Sequence, residues 1–171
     1  MTVLVMTDAM RELAARAELD TVTAADLPPG AGEVLAAGWV REPGGAWVLG
    51  ARRRSYSGDR AAFDDLTGYE AAVNGRAVHD LDLPRGEERA ALLLRRGYAL
   101  SREVLHLVRA VPDAPAVTAL ITVSVSSTED PEWVGNQTFW ARHVGERPYV
   151  EIDDPASPEL LMSMDSAFPP A

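Results

Sequence analysis

Two neighbouring stretches decide the fold: GEERAALLLRRGYALSREVLHLVRA, residues 86–110, and VTALITVSV, residues 117–125. In the first, Leu93, Gly97, Leu100, Val104 and Leu107, with Val111 just beyond it, recur at steps of four and three, the seam of a long helix that faces a core. Gly97 interrupts that seam where alanine would favour the helix by about 1 kcal/mol, so it predicts a close approach by another element. In the second stretch Val117, Ala119, Ile121, Val123 and Val125 alternate with Thr118, Thr122 and Ser124, the pattern of a strand with one face buried. Pro112 and Pro115 stop the helix between them. A long helix followed by a half-buried strand predicts a helix packed across a sheet.

Upstream, TDAMRELAARAEL (7–19) reads as an amphipathic helix capped by Thr7 or Asp8, with Met10, Leu13, Ala14 and Ala17 as its apolar stripe. Residues 26–32 hold Pro28, Pro29, Gly30 and Gly32 and read as a loop. Two strand-like pieces carrying Trp39 and Trp47 flank Pro43-Gly44-Gly45, a hairpin signal. Residues 59–75 read as a helix ended by Gly75, and RAVHDLDLP (76–84) as a short extended piece or turn.

Downstream, a polar loop carrying Trp133 leads to a strand at about 136–144, in which Phe139 and Ala141 face one way and Trp140, Arg142 and Val144 the other. Phe139 is expected in the core and Trp140 near the surface. Residues 145–148 turn the chain into a third extended piece, YVEI (149–152). Leu160 to Met164 reads as a last strand or a short helix, and 166–171 as a frayed tail. Strands segregated from helices predict an α+β fold: a single two-layer domain over 1–165, with a mainly antiparallel sheet and the long helix across it.

Composition narrows the chemistry. The chain of 171 residues has no cysteine, which excludes disulfides, thiolate metal sites and cysteine nucleophiles. All 16 basic residues are arginine, so lysine Schiff bases and a P-loop lysine are excluded as well. No apolar run approaches the roughly 20 residues of a membrane helix, and the N-terminus lacks the pattern of a secretory signal. A net charge of −10 disfavours nucleic acid and anionic membrane and favours a cationic partner.

The residues offer few catalytic constellations. His79, His106 and His143 fall in three different elements, with no metal-binding spacing, and neither a metal nor another cofactor is implied. His79-Asp80-Leu81-Asp82 is the sharpest candidate, because imidazole and carboxylate together can activate water. The same residues also suit a polar turn before the long helix. Arg52-Arg53-Arg54 can hold an anion or guard an edge strand against intermolecular pairing. Arg95, Arg102, His106 and Arg109 share one face of the long helix, which serves either internal ion pairs or a partner.

Recognition is better represented. Trp133, Trp140, Arg142 and Tyr149 are residue types enriched at binding hot spots, and Glu151, Asp153 and Asp154 follow them. This sequence therefore predicts a cytoplasmic protein-interaction domain whose partner has a basic surface, in its most concrete form an immunity or inhibitor protein that neutralises a toxin or effector. Two alternatives stand beside it. One is a small hydrolase or cyclase using His79, Asp80, Asp82 and His106 in a pocket between sheet and long helix. The other is a chaperone or assembly factor using the Arg95–Arg109 face.

Overall fold

Strand β5 (Val117–Val125) lies at the centre of a five-stranded antiparallel sheet in the computed structural model, which describes residues 4–167. On one side β5 pairs with β6 (Trp133–Ala141), and β6 with the short β4 (Arg76–Ala77). On the other it pairs with β7 (Leu160–Asp165), and β7 with β1 (Leu4–Met6). A separate hairpin joins β2 (Trp39–Arg41) to β3 (Trp47–Leu49), around the predicted Pro43-Gly44-Gly45 turn. The helices are α1 (Asp8–Arg16), α2 (Ala31–Ala37), α3 (Gly50–Arg54), α4 (Leu66–Asn74) and α5 (Glu88–Arg109). This is an α+β architecture with the long helix α5 packed on the sheet. No helix among the described residues is long and apolar enough to cross a membrane.

The face of α5 toward the sheet holds Leu93, Leu94, Gly97, Leu100, Val104, Leu105 and Val108, all buried. Leu107 and Val111, expected in the same seam, are only half-buried. Strict steps of four and three average 3.5 residues per turn, and a straight helix drifts from that repeat by about 20° per heptad. By its last turns the buried stripe has rolled onto Leu105 and Val108. Gly97 lets the helix sit close, since a β-carbon there would meet Ile121 Cγ2 at 3.1 Å. Gly135 of β6 does the same from the sheet, where a β-carbon would meet Leu93 Cβ at 3.3 Å. The core closes with Ile121, Phe139, Met162 and Met164.

Two buried polar residues fix the hairpin to the sheet. Glu70 and Asn74, one turn apart on α4, stand between β3 and β6. Glu70 accepts the Trp47 N–H at 2.6 Å and the Ala141 N–H at 2.7 Å. Asn74 accepts the Leu49 N–H at 2.8 Å and donates to the carbonyls of Trp47 and Phe139 at 3.2 and 3.0 Å. A helical i,i+4 step rises roughly 6 Å, close to the roughly 6.8 Å between alternate residues of a strand. The two side chains therefore meet alternate backbone groups on both strands and take the place of an intervening strand.

Several boundaries differ from those expected. The helix expected over 59–75 splits into a 3-10 turn (Arg60–Ala62) and α4. Asp59 and Asp65 divide it, because their carboxylates accept the amides of Ala61 and Gly68 and cap two separate starts. Gly75 does end α4, but at φ −74 rather than in the left-handed region. Its small size is what counts, since a β-carbon would lie 2.8 Å from the Ala71 carbonyl. Arg52, Arg53 and Arg54 sit on α3, not on an edge strand, and Arg52 is buried. The strand expected at about 136–144 begins at Trp133, so that residue is in β6 and not in a loop. YVEI forms no strand and belongs to an irregular crossing, residues 142–159. Leu160 to Met164 is a strand, within β7. Of the expected frayed tail 166–171, Ser166 is tied by its N–H to the Val117 carbonyl, and Phe168 onward lies outside the described residues.

Candidate binding surface

Antiparallel pairing forces the crossing. Strand β6 ends at Ala141, opposite Val117, while β7 starts at Leu160, opposite Val123. Residues 142–159 must travel the length of β5 between these points, and they do so over the sheet face that α5 leaves uncovered. They form a strap pinned at both ends. Near its start, Glu146 accepts the amides of Leu66 and Thr67 at 3.1 and 2.8 Å and the Thr67 hydroxyl at 2.7 Å, capping α4 from a distance. Burial pushes the Glu146 carboxyl up, but the bonds from Thr67 and Leu66 outweigh it and hold the group below its ordinary value. At the far end the Pro155 carbonyl accepts the Asp8 N–H at 2.7 Å, and the Glu159 carbonyl accepts the Thr7 hydroxyl at 2.6 Å.

Between strap and α4 the sheet face stays open as a cleft of about 670 Å³. Leu120, Thr122, Asn136, Thr138 and Leu161 form its floor; Ala71, Gly75 and the half-buried Arg76 close one side, and Tyr149, Val150 and Glu159, nearest the acidic part of the strap, the other. The floor is the polar side of the strand alternation, Thr122 among it, joined by Leu120 and Leu161. It offers apolar contact with hydroxyl and amide groups spaced across it, the mixture that ligand and partner clefts use.

The expected contact residues divide between strap and sheet. Tyr149 is 51% exposed, and Arg142, Glu151, Asp153 and Asp154 are exposed. Trp140, expected near the surface, is buried at 3% exposure. It does point away from Phe139, as alternation requires, but Tyr149 of the strap packs on its ring at 5.7 Å between centroids. A side chain facing away from the helix layer would meet water here, and the strap removes that water. Trp133 is half-buried against the core, and its carbonyl accepts from Arg89 at 2.9 Å. Neither tryptophan is an exposed anchor.

The residues assigned to an enzyme are not assembled in one cavity. Asp80 pairs with Arg89 at 2.6 Å and Asp82 with Arg96 at 2.6 Å. The Arg96 hydrogen bond holds the Asp82 carboxyl down to about 2. His79 lies 3.7 Å from Asp82 and lines a separate cavity, and His106 is exposed on α5. The segment is a turn, with Leu83 N–H bonded to the Asp80 carbonyl at 3.0 Å. Among the described residues no group of three or more His, Asp or Glu side chains is placed to hold a metal ion. The arginine face of α5 is engaged internally as well. Arg95 pairs with Asp26 at 2.7 Å, Arg102 lies over the Tyr98 ring at 5.5 Å, and Arg109 bonds the Ser166 carbonyl.

Sequence reasoning missed Glu70. It is fully buried, its Oε1 lies 2.8 Å from His143 Nε2, and burial pushes its carboxyl above the ordinary value. The available signal was the spacing: Glu70 and Asn74 are polar at i,i+4 on a helix whose Tyr69 and Val73 read as core. Comparison with known protein families, with curated proteins and with solved structures finds no match to this chain.

Proposed function

We propose that this chain is a cytoplasmic protein-interaction domain that grips a basic segment of a partner protein along the strap and the adjoining cleft. In its concrete form it is an immunity or inhibitor protein for a basic toxin or effector. One observation carries this reading: a strap fixed at both ends walls an open cleft through Tyr149, Val150 and Glu159, and also displays Glu151, Asp153 and Asp154 to solvent. A held loop loses little conformational freedom on binding. An aromatic at the cleft wall supplies contact area, and neighbouring carboxylates steer a cationic partner and fix its register. Of the four expected contact residues, Trp133, Trp140, Arg142 and Tyr149, it is Tyr149 that serves as the anchor, with Arg142 at the strap's beginning.

The test compares the wild-type chain with two variants, Tyr149→Ala and a triple Glu151→Lys, Asp153→Lys, Asp154→Lys, in affinity capture from the source organism's lysate. A basic protein retained in stoichiometric amount by wild type, and lost from both variants, supports the reading. Retention of the same protein by the triple variant, or the absence of any stoichiometric protein, removes it.

A further inference from the structure

Four of the eight buried and half-buried arginines among the described residues have carboxylates: Arg53 pairs with Glu42, Arg89 with Asp80, Arg95 with Asp26 and Arg96 with Asp82. Of the other four, only Arg52 is buried. It is 5% exposed, and among the described residues no carboxylate forms an ion pair with it. Its Nη1 donates to the Asn74 carbonyl. With the Gln137 amide oriented to donate to the Gly97 carbonyl at 3.3 Å, its oxygen accepts from Arg52 Nη2 at 2.6 Å. The guanidinium lies over the Phe139 ring, 5.3 Å from its centre. These contacts orient the group but do not neutralise it, and guanidinium has five N–H donors to satisfy.

A second cation stands beside it. Arg76 donates to the carbonyls of Val73, Gly75 and Arg52 and to the Ser55 hydroxyl, and it too forms no ion pair among the described residues. Burial first, and Arg76 second, bring the Arg52 guanidinium down to about 9. Two like charges held together at a desolvated position are unfavourable unless an anion joins them.

Both arginines line one cavity of about 290 Å³, with Ser55, His79 and Gln137. Glu33 is at its edge, but its carboxylate is turned to Arg54 at 3.3 Å and is largely exposed. We propose that this cavity binds an oxyanion, the phosphate or carboxylate group of a small molecule, held by the N–H groups that Arg52 has left and by the neighbouring charge of Arg76, whose Nη hydrogens are already engaged. Ser55, whose hydroxyl donates to the Arg52 carbonyl at 3.0 Å and accepts from Arg76 at 3.0 Å, holds the two arginines in place, and His79 and Gln137 supply further hydrogen bonds. Charged N–H donors preset in a planar fork suit such a group. The volume falls at the lower end of ligand pockets, which fits a small anion and not a macromolecular segment.

Calorimetric titration of the full chain with inorganic phosphate, and separately with acetate, tests the proposal. At least one is expected to bind one-to-one with a Kd of about 1 mM or tighter, and the stronger of the two distinguishes a phosphoryl from a carboxyl source. Backbone amide shifts in the wild-type protein should concentrate at Gly30, Ser55 and Ala77. Arg52→Met and Ser55→Ala should each weaken binding, the first by about tenfold or more. Should Arg52→Met fail to fold, the wild-type shift map and Ser55→Ala decide. Absence of saturable binding by both anions, shifts located elsewhere, or affinity unchanged in the folded variants would overturn the proposal.

Discussion

Glu70 and Asn74 hold more of the structure than their size implies, because each satisfies backbone groups of two strands at once. Truncating Asn74 to alanine strands the Leu49 N–H and the Trp47 and Phe139 carbonyls away from water. Asn74→Ala should therefore cost about 3 kcal/mol or more in urea unfolding. Glu70 adds a pH dependence whose sign follows from its burial. Its carboxyl keeps a proton in the folded state above the ordinary value of 4.5, where the unfolded chain has released it. The folded state thus binds more protons in that window, so this contribution is full below 4.5 and is lost as pH rises through the folded value. Stability of wild type relative to Glu70→Gln should fall as pH rises from 4.5 in denaturation series, and a flat difference would refute the assignment. The lowered carboxyl of Asp82 acts in a different window: its contribution is lost as pH falls from 3.8 toward about 2. Residue type alone hid this, since a glutamate and an asparagine in a short helix ordinarily read as solvent-facing, and only their i,i+4 spacing beside Tyr69 and Val73 hinted at it.

At the scale of elements, periodicity carried the reading wherever an element buries one face against a continuous layer. It located α5, β5 and the hairpin around Pro43-Gly44-Gly45. It failed where long-range polar contacts decide the path, as along residues 142–159. Nothing in the local pattern of YVEI says that Glu146 caps a helix nearly eighty positions earlier in the chain. The strap is the element on which the functional reading depends, and its first anchor can be released alone. Glu146→Ala should cost about 1 kcal/mol, as lost helix caps do. It should also speed amide exchange at Leu66 and Thr67 while leaving β5 protected. If exchange at those two amides is unchanged, Glu146 is not what holds the strap to α4.

The whole molecule places its layers asymmetrically. One face of the sheet is filled by α5 and its neighbours, and the other is only partly covered, so the strap and the open cleft share a side. The fold class was legible because it follows from the order of helices and strands. The residues of the proposed site, Tyr149, Glu151, Asp153 and Asp154, stand out in composition, whereas exposure was not legible, because Trp140 lies beneath a loop that no local rule locates. With a net charge of −10, association with a basic partner should slow by about tenfold or more as salt rises from low to physiological strength. Stopped-flow rates on the captured partner would measure this, and a salt-independent rate would argue against electrostatic steering. The clasp on α4 has a further consequence, for the order in which the chain assembles. Strands β3 and β6 are far apart in sequence, and side chains of α4 mediate their polar contact. Their meeting is therefore expected to follow the formation of that helix, whose hydrogen-bonded turns are local even though its final cap is not. A search between two distant segments should become two successive dockings onto α4, and in a variant whose other three tryptophans are replaced by phenylalanine the fluorescence of Trp47, seated at the junction, should follow them.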